Sequence, residues 1–96
     1  MWMDAEYGER MASIFEHVRH RFDLLRECKD RGEMAQLRCH ATEILMMAVH
    51  GGLHRLAQQA ERIVATEHYV LREALDDMQR ESDAAEALWR AAGWVL

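Results

Sequence analysis

The chain contains no proline, only five glycines and only two cysteines among its 96 residues. Proline and glycine are the residues least compatible with a helix interior, so their scarcity in a sequence rich in Ala, Leu, Glu, Arg and Met favours helix at nearly every position. The same composition argues against a β-sheet. We therefore predict an all-α protein that forms a single domain over residues 1–96.

The chain also lacks any excess of positive charge and any long apolar run. Its formal net charge is −5, whereas binding of nucleic-acid phosphates requires a concentrated positive face, so we expect no direct nucleic-acid partner. No stretch of 18 apolar residues occurs, and residues 1–4 lack the basic and apolar regions of a signal peptide. We expect a cytoplasmic protein without a membrane span, in which Cys28 and Cys39 form no structural disulfide.

The charged residues are unevenly distributed. Seven acidic residues and two arginines lie between residues 67 and 86, which we interpret as a solvated acidic helix face, with a basic patch on a partner as the alternative. In the first helix we expect Arg19 to pair with Asp23, and Arg26 with Asp30, because each pair is one helical turn apart.

Apolar residues spaced three and four apart predict four amphipathic helices. These helices cover residues 4–31, 33–50, 53–65 and 68–91. Gly32 and the pair Gly51-Gly52 provide the residues that commonly end the first and second helices. No glycine or proline separates the third helix from the fourth, so Thr66 is the capping candidate and one continuous helix over 53–91 is the alternative. With the break, short loops predict an up-down-up-down four-helix bundle, and we expect it to form a homodimer.

Six consecutive apolar residues at positions 44–49 stand out within the second helix. They point all the way round the helix, although a helix of a small bundle needs only one apolar stripe. Methionine and tryptophan, which suit adaptable interfaces, also concentrate in residues 1–3 and 89–96. The alternative is that these residues complete the core of the monomer. The residues predicted to bind a partner are Ile44, Met46, Met47, Val49, Trp89 and Trp94.

Three residue pairs occur in an order typical of one bacterial family. Leu37-Arg38, Gly52-Leu53 and Leu56-Ala57 are spaced, without a gap, like the Leu-Arg, Gly-Ala and Leu-Ala pairs of that family. Over about two thirds of its length the chain thus resembles histidine-containing phosphotransfer (Hpt) domains, four-helix bundles that relay phosphoryl groups between receiver domains. The resemblance implies a four-helix bundle.

The same alignment departs from the Hpt pattern at the reactive positions. It places Thr42 where the phosphoacceptor histidine belongs, Leu45 at the lysine position and Met46 at the glycine position. Threonine has no imidazole nitrogen to carry a phosphoryl group. His40 lies only two residues away, but two residues turn a helix by 200°, which places it on the opposite face. Histidine phosphotransfer is kept as an alternative function, in which His40 would carry the phosphoryl group on a shifted register of the alignment.

Other chemistry has little support in the sequence. His50 and His54 have the spacing of two metal ligands on one helix face, but Gly51 and Gly52 interrupt the helix between them and no His-Glu-x-x-His pattern completes a site. A metal- or haem-linked sensor is thus a further alternative. The sequence has no nucleophile elbow and no phosphate-binding glycine loop, so we expect no enzyme and no cofactor.

Together these features favour a non-catalytic regulator that binds another protein. We expect it to sequester or occlude a bacterial signalling or transcription-regulatory protein, as an anti-activator or adaptor, through the apolar face of the second helix.

Overall fold

The computed structural model describes residues 5–66, 70 and 72–92, and every regular element in these ranges is an α-helix. The helices are α1 (Ala5–Arg31), α2 (Met34–His50), α3 (His54–Ala65) and α4 (Arg72–Ala91). They form a four-helix bundle of 48 × 18 × 17 Å in which α1 contacts α2 and α4, and α3 contacts α2 and α4. The prediction of an all-α four-helix bundle is confirmed. Helix α4 begins at Arg72, four residues later than predicted, and Val70 is not helical.

Glycine fixes both tight turns of the first half of the bundle. Gly32 and Gly52 have φ angles of 72° and 70°, the left-handed region that residues with a Cβ rarely adopt. Leu53 N–H donates to Ala48 O at 2.8 Å across the second turn, which is the six-residue bond of a Schellman motif. These turns reverse the chain within a few residues, so α1, α2 and α3 pack as antiparallel neighbours.

Thr66 ends α3, as the sequence suggested. Its backbone is extended (φ −73°, ψ 121°), and its hydroxyl donates to Arg62 O at 2.9 Å. An extended residue at this position excludes the alternative of one helix over 53–91. The fourth helix instead packs as a separate antiparallel element against α1 and α3.

The core is filled by the predicted apolar stripes. Phe15 and Trp89 join α1 to α4 through ring contact, with centroids 5.5 Å apart. Among the described residues the buried apolar positions are Met11, Ile14, Phe15, Val18, Phe22, Leu25, Cys28, Leu37, Ala41, Ile44, Ala48, Leu56, Ala60, Ile63, Val70, Leu75, Met78 and Trp89.

Arginines of α1 connect this helix to the acidic helix α4. Arg19 forms an ion pair with Glu86, and Arg26 forms one with Asp76 at 2.9 Å. The sequence-based prediction that both arginines pair one turn along α1 is wrong, because the packing of α4 beside α1 brings other carboxylates within reach. Part of the negative charge of α4 is thus balanced by arginines of the same chain.

Glu86 is the most constrained of these acids. Burial raises the pKa of its carboxyl, but hydrogen bonds from Arg19 and Arg90, together with the charges of these arginines, outweigh burial and hold the pKa of Glu86 below its ordinary value. Its side chain is only 13 % exposed. The charged form of Glu86 therefore stabilises the contact between α1 and α4.

Replacing Gly52 with alanine should lower the free energy of unfolding by about 1 kcal/mol, because the new Cβ is strained at a positive φ. Gly51→Ala is the matched control: Gly51 has φ −86°, and its added Cβ would meet Ile14 and Met47 at ordinary contact distance. Urea unfolding of the two variants checks this, and equal stabilities would contradict it.

Glu86→Gln should destabilise the protein at neutral pH by about 1–2 kcal/mol, because three charge-assisted hydrogen bonds from Arg19 and Arg90 are weakened. The pKa of Glu86 is lowered in the folded state, so its contribution is present above the unfolded-state pKa of glutamate and is lost as pH falls through the lower folded-state value. The stability difference between wild type and variant should therefore shrink with acidification. Urea unfolding at a series of pH values measures it, and a difference that stays constant would refute the assignment.

Candidate interaction surface on helix α2

The apolar run of α2 is covered on three sides by the bundle and open on the fourth. Ile44 and Ala48 are fully buried in the core. Leu45 and Met47 are half-buried and pack against its edges. Met46 and Val49 remain exposed, at 57 % and 64 %. Packing within one copy therefore leaves part of the run in contact with water.

The contacts of neighbouring residues show which helix covers each side. Arg38 contacts the end of α3, through a guanidinium nitrogen 3.4 Å from Thr66 O. His40 contacts Arg21 of α1. Leu45 and Met47 lie two turns after Arg38 and His40 respectively, so Leu45 lies toward α3 and Met47 toward α1. The open side lies between these two flanks and faces away from the core.

Five residues of α2 form a line along this open side, which we call the outer seam. They are Ala35, Cys39, Thr42, Met46 and Val49. Thr42 is half-buried and the other four are exposed. None carries a formal charge, and the flanking charges are Arg38 on one side and Glu43 on the other. An exposed helix face depleted of charge is unusual for solvated surface and typical of the centre of a protein interface.

Two residues predicted from the sequence to bind a partner do not belong to this surface. Ile44 is completely buried, and Trp89 is 8 % exposed because it packs on Phe15, so both belong to the core of the monomer. None of the described residues accepts a hydrogen bond from Trp89 Nε1. Trp94 lies outside the described residues. Of the predicted set, Met46 and Val49 occupy the open face, and Met47 lies at its edge.

A third exposed large apolar side chain among the described residues was not predicted. Leu88 of α4 is 73 % exposed and lines a cavity of about 470 Å³ between α3 and α4, together with Leu53, Leu56, Ala84 and Ala85. Since α4 lies diagonally across the bundle from α2, this groove is separate from the outer seam. The absence of charge from residues 84, 87, 88 and 91 was the signal that could have revealed it.

Thr42, which the sequence resemblance would place at the Hpt phosphoacceptor position, lies in the middle of the outer seam. Its hydroxyl donates to Arg38 O at 2.8 Å, back along the same helix. Leu45 and Met46 lie about one turn further along the same helix. This part of α2 therefore carries no charged side chain on its open side.

His40, the alternative phosphoacceptor, lies on the α1 side of α2. Arg21 Nη1 is 3.0 Å from His40 Nδ1. A guanidinium can only donate, so Nδ1 accepts in this contact. Attack of Nδ1 on a phosphoryl group would require this contact to break.

His50 and His54 are both exposed and lie at the end of α2 and the start of α3. Within residues 5–66, 70 and 72–92 no group of three or more His, Cys, Asp or Glu residues is arranged to hold a metal ion. Among the described helices none combines the length and apolarity that crossing a bilayer requires.

Comparison of the chain with known protein families, with curated proteins and with solved structures gives no match. The proposed function is therefore based on the charge-free outer seam and the geometry around it.

A carboxylate introduced at Met47 should affect the stability of the monomer differently from one introduced at Met46. We expect Met47→Glu to lower the free energy of unfolding of the monomer by about 1–2 kcal/mol, because the half-buried side chain packs against the core. Met46→Glu should change it by no more than about 0.5 kcal/mol, because Met46 projects into water. Urea unfolding at a concentration where both variants are monomeric checks this. A larger loss of stability in Met46→Glu than in Met47→Glu would show that Met46 does not lie on the open side of α2.

Proposed function

We propose that this protein is a non-catalytic regulator that binds a bacterial signalling or transcription-regulatory protein in the cytoplasm through the outer seam of α2. The observation that carries the proposal is the exposure of Met46 and Val49 on a helix face whose centre has no charge. Bundle helices normally place polar side chains on the face opposite the core, as the first half of α4 does here with Glu73 and Asp77.

The composition of the outer seam suits binding to an apolar groove. Methionine adapts to irregular surfaces at low strain, and valine, alanine and cysteine allow a partner to approach closely. Residues 35–49 extend over about 21 Å of helix, which is enough for a helix-in-groove contact with anchors three and four residues apart. Arg38 and Glu43 flank the seam and would set orientation at the rim.

Regulation would follow from occlusion. A rigid helix that is already folded in the free protein loses little conformational entropy when it docks. By filling a groove that the target uses for self-association or for another partner, the bundle would block that use without any covalent step. The half-buried Arg21, which contacts both His40 and Glu43, anchors α2 on α1 and keeps this edge of the surface in place.

The double variant Met46→Glu/Val49→Glu should abolish binding of the target and leave the fold intact, because two carboxylates would be buried without partners in the complex. The matched control is Ala84→Glu/Ala87→Glu, which adds the same charge at two exposed apolar positions, also three residues apart, on the opposite helix α4. The wild type, the variant and the control are used as bait in a bacterial lysate, and the protein retained by the wild type is then purified and titrated against all three.

We expect the control to bind like the wild type and the seam variant to bind at least tenfold more weakly, which corresponds to about 1.4 kcal/mol. Equal affinities of the seam variant and the wild type for the purified target would remove the outer seam from the interface. Circular dichroism of each bait verifies that helicity is unchanged.

A further inference from the structure

The residues of the outer seam follow one another at intervals of four, three, four and three. This is the heptad spacing of a coiled-coil seam. Helix α2 thus has two apolar faces: an inner stripe formed by Leu37, Ala41, Ile44 and Ala48, which is completely buried, and the outer seam, which is open. The two faces share the same spacing, so the outer seam can pack against a further helix as the inner stripe packs within the bundle.

The charges that flank the outer seam indicate which helix fits. In heptad terms Cys39 and Met46 occupy the a positions, and Ala35, Thr42 and Val49 the d positions. Arg38 then occupies a g position and Glu43 the following e position, five residues later. In a parallel pair of helices a g residue of one helix lies beside the e residue five positions on in the other, so two copies of α2 would form two Arg38–Glu43 ion pairs related by the two-fold axis.

The opposite orientation is disfavoured by the same residues. An antiparallel pair that aligns Met46 with Thr42 of the other copy brings the two Glu43 carboxylates together across the axis and leaves Arg38 beside a glycine. Like charges in this position oppose association. Only the parallel arrangement places Arg38 of one copy beside Glu43 of the other.

The contacts that Arg38 and Glu43 make within one copy leave both side chains available to a second copy. The Glu43 carboxylate lies 3.4 Å from Arg21, with the Glu43 side chain 53 % exposed, and Arg38 reaches Thr66 O at the long distance of 3.4 Å. Both contacts are long, and when Glu43 turns to the second copy Arg21 keeps its contact with His40, at 3.0 Å, which continues to hold α2 on α1.

We infer that a second copy of this chain covers the outer seam, in a parallel two-fold dimer with Cys39 opposite Cys39 and Met46 opposite Met46. The seam extends over only two heptads, so the dimer is weak and forms in a concentration-dependent way. The consequence for regulation rests on the proposed function: self-association hides the surface that binds the target, and the monomer is the form that binds.

The chain carries a built-in probe of this arrangement. Cys39 is exposed on the outer seam, whereas Cys28 is buried in the core, and burial raises the pKa of its thiol, which keeps it unreactive. A disulfide requires Cα atoms within about 7 Å, a condition that facing a positions meet and that positions on remote surfaces do not. Under diamide, two Cys39 thiols lose two protons and two electrons to form the disulfide, and diamide is reduced to its hydrazine.

The experiment combines the mass in solution, measured by light scattering over a concentration series, with diamide cross-linking of the same samples. We expect the mass to rise from monomer to dimer, and a covalent dimer to form in wild type and in Cys28→Ser but not in Cys39→Ser. Met46→Glu should abolish the rise in mass and reduce cross-linking at least tenfold, while Ala84→Glu should leave both unchanged.

A monomer at every concentration would overturn the inference. So would a dimer that Met46→Glu does not weaken, or a dimer in which Cys39 does not cross-link. The proposed function is tested separately, by binding of the purified target. If the protein is a monomer at every concentration and its seam variant still loses target binding, only the dimer is refuted. The disulfide-linked dimer, conversely, should bind the target at least tenfold more weakly than the reduced protein.

Discussion

The constraint on which this structure depends is that α2 is apolar on more sides than its neighbours can cover. Helices α1 and α3 flank α2, and its inner stripe faces the core, so Ile44, Leu45 and Met47 are removed from water to different degrees. No element among the described residues covers the remaining side. Burial of apolar area is the dominant favourable term in association, so an uncharged face left open on a folded helix favours contact with another protein.

The rest of the bundle keeps this face in place. The Schellman turns at Gly32 and Gly52 fix where α2 begins and ends, and the contacts of Arg21 with His40 and Glu43 hold it against α1. Helix α4 contacts α1 and α3 and is held by ion pairs from α1 as well as by the Phe15–Trp89 contact. Helices α4 and α2 therefore lie diagonally opposite each other, with the acidic first half of α4 on one side of the molecule and the uncharged outer seam on the other.

Much of this architecture could be predicted from local sequence, because helix stripes and glycine turns are set by residues close together in the chain. The spacing of apolar residues predicted helix ends that differ from the described ends of α1, α2 and α3 by at most one residue. Thr66 was identified as the end of α3. The ion partners of Arg19 and Arg26 were missed because they depend on which helix packs beside α1. Ile44 and Trp89 were assigned to the surface because an apolar run does not reveal which of its members face inward. The heptad spacing of the outer seam was visible in the sequence, but only the burial of the inner stripe separates the two faces.

The most direct test of the central claim, that the open face of α2 is an interaction surface, is the solvent accessibility of methionine methyl groups measured by NMR with a soluble paramagnetic probe. At low protein concentration the Met46 methyl signal should be strongly broadened, whereas that of Met78, which is fully buried, should not. The account predicts that Met46 becomes protected as the chain is concentrated or its target is added, while Met78 stays unchanged. A Met46 methyl that is protected in the dilute monomer, or equally exposed under all conditions, would contradict it.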